Sequence, residues 1–177
     1  MCILLVLAAP AQAAAPETCG APKPTKVVTG TFTSDQTGSF VMLPFEVPKG
    51  TTAIRGWYCY DQPDGPTAQS PAFAIRHTLD FGYYAPGGRY RGWSGSGFFK
   101  DITVSRQGYA AEPDPSKKPF GTTSRGYRPG PITPGTWAVE LGVAAVVPPA
   151  QGDSDGSVNW RVELQLETAP VGPAYVP

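Results

Sequence analysis

The sequence predicts an all-β fold, a β-sandwich of jelly-roll type with about seven or eight strands. Three observations lead there. Gly and Pro number 21 each in 177 residues, together about twice the roughly 12% of ordinary proteins. A helix loses about 3 kcal/mol for each interior Pro and about 1 for each Gly, so bundles and coiled coils are excluded. The chain is also 41% hydrophobic, with four Trp, eight Tyr and eight Phe, enough apolar surface for a core and too much for a disordered chain. Finally, several segments alternate apolar and polar residues between Gly/Pro turns, and none of helical length is amphipathic. No repeat of fixed period is visible, and the length fits one domain.

At the amino terminus, Ile3 to Ala9 is an apolar run followed by Pro10 and Ala11-Gln12-Ala13. A short apolar core with an A-x-A exit reads as a signal peptide over residues 1–13, although no Lys or Arg precedes it. It is shorter than the ~20 residues of a membrane span. A plain hydrophobic start is the alternative. Export would place the protein in the periplasm or outside the cell, and cleavage would leave Cys19 and Cys59 of the three cysteines. Two cysteines in an exported chain favour a disulfide, whose ~40-residue loop adds about 4 kcal/mol in the chain-entropy picture. The alternative is a buried thiol at Cys59, within the run Trp57-Tyr58-Cys59-Tyr60.

Residues 14–26 hold Pro16, Pro22 and Pro24 and read as an extended Pro/Ala-rich leader. The sandwich is expected over 27–168. Val27 to Thr33 is β-branched. Ser39 to Val47 carries Phe40, Met42, Phe45 and Val47 around Pro44, which lacks a donor and so belongs at an edge or bulge. Pro48-Lys49-Gly50 turns the chain into a strand from Ala53 to Tyr60, and Gln62 to Pro71 is a loop. Phe73 to Tyr84 gives the clearest strand signal, with Phe73, Ile75, His77, Leu79, Phe81 and Tyr83 at period two and Asp80 on the opposite face. Pro86-Gly87-Gly88 leads into Tyr90 to Gly97, then a strand from Phe98 to Val104. Ser105 to Pro131 is a long irregular connection. Thr136 to Val143 and Ser157 to Glu167 alternate again, separated by the loop Pro148 to Gly156. Residues 169–177 read as a linker toward a further domain.

Chemistry is sparse. Fourteen Lys+Arg balance fourteen Asp+Glu, so no basic footprint suggests nucleic acid. The single His, His77, sits in a strongly alternating segment and reads as packed; metal clusters and His-based triads draw on imidazoles this chain lacks. Asp61 and Asp64, and Asp153-Ser154-Asp155-Gly156, resemble part of a calcium loop without its terminal Glu, and Asp is common in plain turns. The run Trp93-Ser94-Gly95-Ser96-Gly97 is not a nucleophile elbow, and without a Lys it is not a P-loop. Asp80 with Glu46 or Glu140 as a glycosidase-like pair has no supporting spacing. No catalytic, metal or cofactor residue is therefore assigned. Tyr83, Tyr84, Tyr90 and Trp93 flank a turn beside Arg89 and Arg91. Such residues stack on sugars or aromatic ligands, or else form a core edge or a docking surface, the favoured reading.

Three segments also carry a likeness: Leu79-Asp80-Phe81-Gly82 with Pro86-Gly87; Arg91-Gly92-Trp93-Ser94-Gly95; and Gly126-Tyr127-Arg128-Pro129-Gly130-Pro131-Ile132 with Pro134-Gly135-Thr136-Trp137 and Leu141-Gly142. With Leu43 to Gly50, their order and spacing resemble the amino-terminal β-sandwich domain of bacterial CehA/McbA-type metallohydrolases of the PHP superfamily, over about Thr29 to Glu167. In that family a metal-dependent, phosphoesterase-like domain opening with Asp-Leu-His-x-His follows the sandwich. The resemblance implies a non-catalytic, exported accessory domain, a fragment of a longer protein. Its partner would be a C-terminal PHP-type hydrolase domain, and divalent metals would belong only to that domain. The expected docking or ligand surface comprises Tyr90, Arg91, Trp93, Ser94, Tyr127 and Trp137, within Tyr90 to Gly97 and Gly126 to Gly135. The alternative is a free-standing extracellular module that binds carbohydrate or another polymer.

Overall fold

The structure, a computed structural model, describes residues 15–64, 76–95, 99–108 and 122–170. The expected signal segment, Phe73, Ile75, Phe98, the middle of the long connection and residues 171–177 lie outside the described residues. Eight strands are present: β1 (Lys26–Thr33), β2 (Phe40–Val47), β3 (Ala53–Tyr60), β4 (Thr78–Ala85), β5 (Arg89–Ser94), β6 (Phe99–Ser105), β7 (Gly135–Ala145) and β8 (Ser157–Glu167). They form two antiparallel four-stranded sheets, sheet A in the order β1-β8-β3-β6 and sheet B in the order β2-β7-β4-β5. This is the expected β-sandwich. No helix among the described residues is long and apolar enough to cross a membrane.

Period-two patterning builds the core. Leu79, Phe81, Tyr83 and Ala85 of β4 point inward together with Trp137, Val139, Leu141 and Val143 of β7. From sheet A they meet Ile54 and Tyr58 of β3 and Val158, Trp160, Val162 and Leu164 of β8. The rings interlock: Tyr58 stacks on Phe81 at 5.0 Å between centroids, and Phe81 meets Tyr83 edge-on at 5.0 Å. Each fully buried side chain of this kind contributes roughly 1.5–3 kcal/mol. Pro44 lies opposite Ala138 on β2, an edge strand whose one ladder among the described residues is with β7, so its missing donor interrupts no second ladder.

The long connection resolves into a clasp over residues 122–131. It runs along the β6 edge, with Ser124 donating its N–H to Thr103 O at 2.8 Å and Gly130 donating to Ser105 O at 2.9 Å. Between these two contacts it crosses to the β5 edge, where Gly92 bridges Tyr127 and the Arg128 N–H reaches Arg91 O at 2.6 Å. Tyr127 extends inward and donates its hydroxyl to Phe81 O at 2.8 Å. Gly92 is dictated by this crossing. Its φ is +134°, and a Cβ there would stand 2.5 Å from Gly126 O and from the Tyr127 Cα, closer than atoms pack.

One expectation needs correction. The strand expected from Phe73 begins in the structure at Thr78, so His77 precedes β4 rather than lying on its face. A register shift between Thr78 and Leu79 marks the strand entry. His77 is held instead by a tertiary contact, its Nδ1 accepting the Val147 N–H at 3.1 Å.

Candidate functional site

The outer face of sheet B carries the exposed side chains of Phe40, Met42, Tyr90 and Trp93. Register aligns its residues in cross-strand rows: Phe40, Gly142 and Asp80; then Met42, Glu140, Gly82 and Trp93; then Pro44, Ala138, Tyr84 and Tyr90. The two glycines leave a trough, and an aromatic ring rests on each. A Cβ at Gly142 would meet the Phe40 ring at 3.2 Å, and one at Gly82 would meet the Trp93 ring at 3.5 Å. Both rings nevertheless stay open to solvent, Phe40 at 67% and Trp93 at 41% exposure. Between them stand the half-buried carboxylates Asp80 and Glu140. Burial, reinforced by the charge of Glu140 and a hydrogen bond to it, raises the pKa of the Tyr84 hydroxyl, and the Tyr84 ring packs on Tyr90 at 5.4 Å.

The six residues expected to share one surface do not share one. Tyr90 and Trp93 are exposed. Trp137 is fully buried and Tyr127 nearly so, which corrects their assignment to a surface. Trp137 shares its strand face with Val139 and Leu141, and Tyr127 is the clasp's inward anchor. Ser94 is half-buried and hydrogen-bonded to the Tyr127 hydroxyl at 3.0 Å. Arg91 is also interior, because of a bulge. Tyr83 pairs with Gly92 and Tyr84 with Tyr90, leaving Arg91 as the extra residue of β5, a device that re-aims a side chain.

That guanidinium is tightly held. Its Nε donates to Arg128 O, Nη1 to Pro131 O and Nη2 to Gly130 O at 3.1–3.2 Å, and it lies 5.2 Å from the Trp137 ring centre. Burial, and secondarily the nearby Arg89, lowers its pKa. Arg89, Arg91 and Arg128 line one pocket with Tyr90, Pro131 and Thr133.

At one end of the sandwich, loops distant in sequence converge on His77. Asp153 Oδ1 lies 3.8 Å from its Nε2, beyond hydrogen-bond reach, and the buried Nε2 has no partner. Burial lowers the His77 pKa, with Asp153, Asp61, Asp155 and Asp64 opposing that shift. The aspartates serve the backbone. Asp153 Oδ2 accepts from Gly156 and Ser157 N–H, Asp61 Oδ1 from Asn159 N–H and Asp64 Oδ1 from Ser154 N–H, all within 2.7–3.1 Å. Among the described residues, no three His, Cys, Asp or Glu groups are arranged to hold a metal ion.

Sheet A presents a different outer face. The residues read as a leader form a packed arm across it. Cys19 is joined to Cys59 at 2.06 Å, with 5.4 Å between Cα atoms. The Ala21 N–H reaches Glu163 Oε2 at 2.9 Å, and Arg161 Nε reaches Oε1 at 2.6 Å. Burial works to raise the Glu163 pKa, but the Arg161 contact and the Ala21 and Cys19 amides hold it below the usual carboxylate value. Trp57, Cys19 and Cys59 form a second small apolar cluster beneath the arm.

Sequence reasoning left out Phe40 and Met42 as surface groups. Their even-numbered positions, opposite in parity to Phe45 and Val47, were the available signal. No protein-family model matches the chain, and comparison with curated proteins finds no match either.

Proposed function

We propose that the chain is a non-catalytic β-sandwich that binds a polymeric glycan along the outer face of sheet B. The observation that carries this reading is the pair of exposed rings, Phe40 and Trp93, resting on Gly142 and Gly82 with Asp80 and Glu140 between them. Aromatic faces complement the C–H faces of sugar rings, and carboxylates accept strong hydrogen bonds from hydroxyls. The face between the edge strands β2 and β5 is three strand spacings wide, about 14 Å, room for more than a single sugar. An arm fastened by a disulfide suits an oxidising compartment outside the cytoplasm. The test is a glycan panel on the purified chain. Binding that weakens at least about tenfold in Trp93→Ala, a loss near 1.4 kcal/mol, supports the reading. Failure of every glycan to bind contradicts it.

A second reading is an accessory sandwich positioned beside a PHP-type hydrolase domain. It is supported by the sequence resemblance and by the contact between two of the segments carrying it, β5 and the 126–132 clasp. Sequencing the reading frame beyond Pro177 tests it. An Asp-Leu-His-x-His segment there supports it, and a stop codon directly after Pro177 removes it.

A further inference from the structure

We propose that Arg89, Arg91 and Arg128 form an oxyanion site that takes a carboxylate or sulfate group of the bound glycan. The glycan part of this inference rests on the reading above, whereas the oxyanion part stands on the pocket itself. Three arginines line the pocket and no Asp or Glu does. Among the described residues, no carboxylate forms an ion pair with any of the three. Full charges held near one another without a counter-charge are costly, most of all at Arg91, which is only 8% exposed. Carbonyl dipoles and the Trp137 face orient the Arg91 guanidinium but do not neutralise it.

The arrangement is also built in advance. A guanidinium has five N–H groups, and the three hydrogen bonds of Arg91 leave two for a ligand. Arg89 is held by Pro86 O and Thr133 Oγ1 at 3.3 and 3.0 Å, and Arg128 lies 6.0 Å from the Tyr90 ring centre. Side chains fixed before binding lose less entropy on meeting a ligand, and Arg forks match planar or tetrahedral oxyanions bidentately. Tyr90 links the pocket to the sheet, since it lines the pocket and also ends the Pro44–Tyr84 row. A glycan lying on that row therefore brings an acidic substituent within reach of the arginines.

The experiment is an NMR titration of the full chain with glucuronate, inorganic sulfate and glucose, read at the Gly130 and Thr133 amides. It is repeated on the double variant Arg89→Gln/Arg128→Gln, which alters two exposed side chains outside the core. Saturable shifts with glucuronate or sulfate but not glucose, and a Kd raised at least about tenfold in the double variant, are expected. A response to glucuronate alone assigns a carboxylate, and to sulfate alone a sulfate ester. Equal shifts with glucose, no shifts at all, or a Kd unchanged by the double variant overturn the site. A neutral oligosaccharide that shifts Met42 and Glu140 equally in both proteins would leave the sheet-face reading standing without it.

Discussion

The two sheets share one core but treat their outer faces in opposite ways. On sheet A the 15–25 arm covers Trp57 and Glu163, so β3 is buried on both sides over most of its length. On sheet B nothing among the described residues covers Phe40, Met42 and Trp93, and β2 alternates between exposed and enclosed positions. Burial is the source of apolar stabilisation, roughly 25 cal/mol per Å². The sheet A aromatics are thus accounted for by stability, whereas the sheet B rings return little and need another reason to be there. Recognition supplies one.

The largest expected effect comes from removing the cover. Cys19→Ser/Cys59→Ser should lower unfolding free energy by about 2–4 kcal/mol in urea melts, and Trp57 fluorescence should shift to the red as the arm lifts. An unchanged midpoint would mean that the arm merely lies on sheet A. Glu163→Gln comes next, at about 1–3 kcal/mol, because the Arg161 charge beneath the arm loses its partner. Its pH sign follows from a folded pKa below the usual 4.5. The stabilisation is present above about 4.5 and is lost as pH falls through the folded value, so the variant should flatten the acid limb of the stability curve.

His77 belongs to neither face, and its titration separates the sandwich end from both. Its folded pKa is lowered from 6.5, so stability present above that value should decline as pH falls toward the folded pKa. His77→Gln should abolish that decline, measured as unfolding midpoint against pH. The smallest stability effects fall on the bare face, where Phe40→Ala and Trp93→Ala should each cost under about 1 kcal/mol while weakening glycan binding. A cost above about 3 kcal/mol would make these rings structural and erase the contrast between the faces.

Much of the sandwich was legible because period two survives wherever a strand has one wet face. Leu79, Phe81 and Tyr83 gave β4, and Pro44 gave an edge strand. Trp137 was equally legible, since its parity matches Val139 and Leu141, yet its place in a Gly/Pro-rich motif suggested a surface. Arg91 could not be placed, because one inserted residue in β5 inverts the alternation and the bulge depends on a partner strand. Tyr127 lies in a segment without periodicity, and its destination depends on the Gly92 crossing. The convergence of His77 with residues 61–64 and 153–157 is tertiary and leaves no local pattern.

The central claim is tested most directly by chemical-shift mapping of a bound oligosaccharide on the isotope-labelled chain. Binding on sheet B predicts the largest changes across Met42, Glu140, Gly82 and Trp93, with Arg55 and Gln165 on the outer face of sheet A silent. Changes centred on sheet A, or saturable binding that leaves this row unmoved, would contradict it.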